Sequence, residues 1–177
     1  GNSSNGGSIS QAIVNISGNK FTNTGSITAS QEFTNSAANL ENNNTITSNG
    51  SFTNTGNITG QGSISANQGG TNTGSMTQNE VTTGGTFNNG DGTTAGTITT
   101  DKLTNNGTFT NNGSIIASTI TNQTGKEFIN NSGKEITAES FINQGSVTNN
   151  GTINAESLTN TSSITGNTGS LIISNGG

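Results

Sequence analysis

Residues 103–119 read LTNNGTFTNNGSIIAST, and residues 141–157 read FINQGSVTNNGTINAES. Apolar residues stand at Leu103, Phe109 and Ile115 in the first stretch, with Ile120 next; in the second they stand at Phe141, Val147 and Ile153, with Leu158 next. Both laps step by six, six and five residues and close after seventeen. Three evenly spaced apolar positions per lap describe one coil of a three-sided solenoid, each side a short strand with one side chain directed inward. Steps of five and six give no stripe at a 3.6-residue period. Asn, Thr and Gly are also poor helix formers, so a helical repeat is excluded.

Within a side such as Phe21-Thr-Asn-Thr-Gly-Ser-Ile27, alternation points the aromatic inward and the following Thr outward. The third residue, Asn, returns to the interior or the corner, where its amide can stack on the Asn of the next lap and satisfy donor and acceptor together. Asn23, Asn54, Asn72, Asn105, Asn111, Asn143, Asn149 and Asn160 hold this place. A Gly two residues further on suits the corner, where few other residues tolerate the backbone. The expected fold is therefore an all-β, three-sided parallel β-solenoid of about 17 residues per rung. The general crossover rule favours a right-handed coil.

Composition supports a repeat and argues against an ordinary globule. Only 24% of the 177 residues are hydrophobic, too few for a conventional core, yet a rung needs just three apolar side chains. The net charge of −5, with 7% charged residues, supplies little repulsion to hold the chain open. Zero Pro suits a backbone whose N–H groups donate into ladders. Zero Cys excludes disulfides and thiolate metal sites. No apolar run approaches the length of a membrane helix, and the acidic, Arg-free composition speaks against nucleic acid as a partner. No basic-then-apolar leader opens the sequence, so any export signal is expected outside it.

Taken in order, residues 1–177 read as a single solenoid domain with glycine-rich ends at 1–8 and 174–177, a piece of a longer repeat protein. The rungs are clear from Phe21, but between Ile27 and Met76 only eight sides can be counted where three laps need nine. Gly70 stands where an aromatic is expected, which predicts a thin, Gly-lined or bulged rung at 69–70. Residues 88–96, NNGDGTTAG, lengthen one side enough to loop out of the wall. Residues 120–140 form a longer lap, because TNQTGKE and INNSGKE each add two residues to a side.

Little chemistry is visible. His, Tyr, Trp, Arg and Cys are all absent, which removes the commonest general base, and the nine acids are scattered; no catalytic residue is assigned and an enzyme is not expected. Glu139 and Glu156 stand one rung apart, with Asp101 two laps before Glu139 and Ser118 between. Such a pair could hold Ca²⁺ if backbone carbonyls joined it, while a solvated acidic corner is the plainer role. Lys126–Glu127 and Lys134–Glu135 mark the enlarged lap, where exposed ion pairs are the plain role. Together with Asp91 in the 88–96 loop they form the candidate partner-facing surface, because binding residues concentrate on loops carried by a rigid scaffold.

The units FTNTGSITA at 21–29 and VTNNGTINA at 147–155 resemble the haemagglutinin-type repeats of bacterial filamentous adhesins, and similar repeats occur in autotransporter passenger domains. The resemblance covers most of residues 9–173. It implies a right-handed parallel β-helix on a secreted, cell-surface or filamentous protein. Such a scaffold presents a binding surface to a host or neighbouring-cell ligand, or stacks on itself end to end. An alternative function is ice binding, since T-N-T units at Thr22/Thr24, Thr53/Thr55, Thr71/Thr73 and Thr159/Thr161 could form an outward Thr array. Laps of T-N-N type break that array between 104 and 150.

Overall fold

The computed structural model describes residues 2–174 and builds them from short strands and turns, with no helix among them. All strand pairings are parallel, and they stack the chain into the expected three-sided solenoid. On the first wall the register superposes Ser3, Phe21, Leu40, Ile58, Met76, Ile98, Ile115, Ile136, Ile153 and Leu171. The second wall stacks Ile9, Ile27, Ile46, Ile64, Val81, Leu103, Ile120, Phe141 and Leu158. The third stacks Val14, Phe33, Phe52, Gly70, Phe87, Phe109, Phe128, Val147 and Ile164. Ten levels at about 4.8 Å make a rod roughly 45 Å long.

Seventeen residues is the shortest lap, and the nine laps of the first wall from Ser3 to Leu171 take between 17 and 22 residues. Ser3, Phe21, Leu40 and Ile58 are spaced by 18, 19 and 18 residues, whereas Met76 to Ile98 takes 22. The walls stay in register because surplus residues are accommodated at the corners, in one case as a register shift within the pairing of Ser8–Ile16 with Ser26–Asn35. The phase through residues 46–76 is also settled. Met76 lies on the first wall with Phe21 and Ile58, and Ile27 lies on the second, so eight sides between them is the correct number. The motif at 21–27 turns from first wall to second, while its near copy at 70–76 turns from third to first. Asn and Gly build the turn locally, so one motif serves every corner and hides the phase.

The tight five-residue corner changes place along the rod. In the strands Ser8–Ile16 and Ser26–Asn35 the chain runs unbroken from second wall to third, in five residues from Ile9 to Val14 and in six from Ile27 to Phe33. From Ser75 onward the unbroken strands are Ser75–Thr83, Thr97–Asn105, Ser114–Asn122, Glu135–Asn143 and Thr152–Asn160, which run from first wall to second. The register irregularity lies between Gln11 and Ile13, not at the glycine rung.

One apolar cluster fills the interior. On the third wall Phe33 and Phe52 stack at 5.3 Å, Phe87 and Phe109 at 5.5 Å, and Phe109 and Phe128 at 4.8 Å. The rung at 69–70 is Gly-lined, as expected, and pairs without a bulge on both sides. Phe52 and Phe87 stand two rungs apart, yet their ring centroids approach to 6.2 Å and fill the space over Gly70.

Buried amides line the corners. At the third corner Asn35, Asn54, Asn72, Asn89, Asn111, Asn130 and Asn149 form an unbroken ladder, each Nδ2 donating to the next Oδ1 at 2.7–2.9 Å. Asn105, Asn122, Asn143 and Asn160 form a second ladder at the second corner, and Asn5, Asn23 and Asn42 start one at the first. The second Nδ2 hydrogen of most ladder residues finds a backbone carbonyl, as Asn72 finds that of Thr97. Asn35, Asn42, Asn89, Asn122 and Asn130 join the ladders although no Gly follows two residues later; the third place after an apolar residue was the signal that mattered.

Candidate partner-binding surfaces

A concavity runs parallel to the rod axis along the first corner, from Gly60 to Ser174, and encloses about 650 Å³. It exists because the five-residue corner carries no Asn-Gly turn to fill it. Its floor is Ala117, Ala138 and Ala155, preceded by Gln78 and Thr100. Thr77, Thr99, Ile116, Thr137, Asn154 and Ile172 form one side. Ile116 and Ile172 are each 52% exposed. Along the other side stand Asn79, Asp101, Ser118, Glu139 and Glu156 on successive rungs. A sequence signal for this groove exists in the recurring I-x-A-[SE]-x-Φ of 115–120, 136–141 and 153–158.

Glu139 and Glu156 thus fall on adjacent rungs, as the lap length implies, with Asp101 in the same row beyond Ser118. Among the described residues no group of three or more acids gathers as a metal cage. The described ion pairs lie elsewhere, Lys20 Nζ to Glu41 at 2.8 Å and Lys102 Nζ to Glu80 at 3.1 Å, so all three groove carboxylates are without a cationic partner. Glu41 is held below the ordinary carboxylate range by its hydrogen bond from Lys20, helped by Asn43.

The five residues of the candidate loop surface divide between two edges. Lys126 and Glu127 close a turn at the second corner, whereas Lys134 and Glu135 close its counterpart at the third. In these turns Lys126 N–H donates to Gln123 O at 3.0 Å and Lys134 N–H to Asn131 O at 3.1 Å. Asp91 belongs to the third edge with Lys134. Asn131 Nδ2 donates to Asn112 Oδ1 at 2.6 Å, and Asn112 Nδ2 to Gly90 O at 3.3 Å, which ties the upper turn to the 88–96 loop. Asp91 itself is turned to its own loop, accepting from Thr93 N–H at 2.8 Å and Thr94 N–H at 2.6 Å. Those two donors hold its carboxyl below the usual range. Lys126–Glu127 and Lys134–Glu135 therefore form two separate charged turns, and the structure does not merge them into one patch.

The T-N-T units do not supply a flat array. Thr22 faces outward from its wall, but Thr24 sits in the corner with its Oγ1 donating to Asn5 O at 3.3 Å. Thr55 and Thr161 bond the same way to Asn35 and Asn143. Outward hydroxyls instead pair across a single inward residue, as in Ser26/Thr28, Thr45/Thr47 and Ser63/Ser65 on the second wall. Comparison with protein-family models, curated proteins and solved structures finds no match for the chain.

Proposed function

We propose that this chain is a structural, non-catalytic scaffold of a bacterial extracellular adhesin or surface filament, a stiff rod that carries a binding surface away from its base. The observation that supports this reading most is the unbroken seven-asparagine ladder at the third corner, which couples successive rungs from Asn35 to Asn149. A rung that cannot shift without breaking buried hydrogen bonds on both sides resists bending, and a rod that resists bending transmits position and load. The chemistry of the chain agrees, since no His or Cys is present to act as base or nucleophile. Parallel ladders can also continue into another copy, so end-to-end association belongs to the same reading. Beads coated with the purified chain should adhere to cell surfaces, or electron microscopy should show rods joined into fibres. Monomeric rods with no adhesion to any of a panel of cells or matrix proteins would overturn it.

A second reading, ice binding, is favoured by one observation, the Ser/Thr pairs facing outward on the second wall. That face is interrupted by the Glu80–Lys102 ion pair and by Ile142. Thermal hysteresis at micromolar protein would establish it, and ordinary ice growth would remove it.

A further inference from the structure

We propose that the groove along the first corner is a docking site for an extended, lysine- or arginine-bearing peptide segment of a partner chain. The inference rests on the scaffold reading only in assuming a stable rod, and it names the partner class that reading leaves open. The shape of the groove sets the length. It follows the axis over about seven rungs, roughly 30 Å, which an extended segment of about nine residues spans.

Charge sets the chemistry. Asp101, Glu139 and Glu156 occupy one side, no Lys lines any part of the groove, and none of the three has a cationic partner. Glu139 and Glu156 lie about one rung spacing apart and Asp101 about two further, so the row presents negative charge at intervals of roughly 5 and 10 Å. Same-side residues of an extended chain recur at about 6.8 Å, and long basic side chains absorb the difference by bending. Their methylene stems would lie over Ala117, Ala138 and Ala155, with apolar contact available at Ile116 on the far side.

Other occupants fit less well. Nucleic acid would be repelled by the row. A carbohydrate would find no aromatic ring, because every Phe lies outside the groove lining. A second copy of this chain offers four Lys, of which Lys20 and Lys102 are already ion-paired and Lys126 and Lys134 sit in separate turns.

The test is fluorescence anisotropy of a labelled ten-residue peptide alternating lysine and serine, read against the full chain at low and moderate salt. The combined variant Asp101→Asn/Glu139→Gln/Glu156→Gln should weaken binding about tenfold or more. A control triple that removes equal charge elsewhere, Glu32→Gln/Asp91→Asn/Glu127→Gln, should change it less than about twofold. Ser118→Arg, which sets a cation within the row, should also abolish binding. Equal loss in both triples would mean general attraction to an acidic protein and would overturn the proposal. So would equally tight binding of a glycine–serine peptide, or no binding by the unaltered chain. Small-angle scattering of each protein separates the two readings: loss of the rod in the unaltered chain defeats the scaffold, while an intact rod that fails to discriminate defeats only the groove.

Discussion

Gln78 Oε1 lies 2.6 Å from Asn42 Nδ2, although the two residues stand on rungs separated by the rung of Gly60. Gly60 has no side chain to carry the first-corner ladder onward, and its Cβ would fall 2.3 Å from Asn42 O at a φ of +112°. An amide one methylene longer than asparagine crosses the gap. Gln78 Nε2 then donates to the backbone, with Thr77 O at 2.7 Å, so both ends of the amide are engaged in the interior.

Shortening this residue tests the length argument directly. Gln78→Asn keeps the chemistry but withdraws the carbonyl from Asn42, whose Nδ2 is then left with the backbone oxygens of Asn44 at 3.0 Å and Ser63 at 3.2 Å. The expected cost is that of one net hydrogen bond, about 0.5–1.5 kcal/mol. Denaturant unfolding should show it as a lower midpoint, and Gln78→Glu should not rescue. An unchanged midpoint for Gln78→Asn would show that the bridging hydrogen bond is energetically silent.

Thr83 occupies the position below Asn105 at the second corner, and its buried Oγ1 has no hydrogen-bond partner. Asn at this place would begin the Asn105–Asn160 ladder one rung earlier. Thr83→Asn should therefore stabilise the chain by about 0.5–1.5 kcal/mol, the net value of one buried hydrogen bond. Thr83→Val, which only deletes the unpaired hydroxyl, should gain less. A Thr83→Asn protein less stable than Thr83→Val would show that the corner cannot accept an amide.

Much of this fold was legible because it is written locally. Leu103, Phe109 and Ile115 announce three sides, and Asn105 and Asn111 announce two corners. The phase at 46–76 was not legible, since the Asn-Gly turn at 23–25 and that at 72–74 look alike while serving different corners. The groove was half legible. Lap length alone places Glu139 beside Glu156, but only the unbroken first-corner strands show that their neighbours Ala138 and Ala155 leave a channel. Nor does spacing reveal that Lys126 and Lys134 belong to different edges, because that requires knowing which wall Phe128 occupies.

Gly70 provides a case where filling an apparent gap should fail. The position aligns with Phe52 and Phe87, so Gly70→Phe looks like a repair of the aromatic stack. The space is already taken by the two flanking rings, and a Cβ at Gly70 would lie 2.0 Å from Phe52 O. Gly70→Ala should destabilise by about 2–4 kcal/mol and Gly70→Phe by more, through backbone strain and overpacking. A raised melting temperature for Gly70→Phe would contradict both arguments.

Ile115 and Val147 are fully buried, and Thr110 stands on the outer surface of the third wall. Asp at either inward position places a charge among apolar side chains with no partner, so Ile115→Asp and Val147→Asp should abolish the folded state. Thr110→Asp should be tolerated, with a change within about 0.5 kcal/mol. Circular dichroism and limited proteolysis distinguish these outcomes, and equal stability of the three variants would invert the assignment of faces.

The 88–96 loop should respond to acid through Asp91. Its carboxylate receives Thr93 and Thr94 N–H, and these bonds depress its folded pKa. A depressed carboxyl contributes order that is complete above its unfolded value, near about 3.9, and is lost as pH falls through the lower folded value. The amide proton resonances of Thr93 and Thr94 should therefore hold steady down to about pH 4 and move upfield below it. In Asp91→Asn the side-chain oxygen can still accept but does not titrate, so the same resonances should stay flat across the range. Glu41 is depressed in the same direction by Lys20, and a whole-protein melting curve would mix the two groups. The loop amides isolate Asp91. A titration of Thr93 and Thr94 that persists unchanged in Asp91→Asn would assign the acid response to another group.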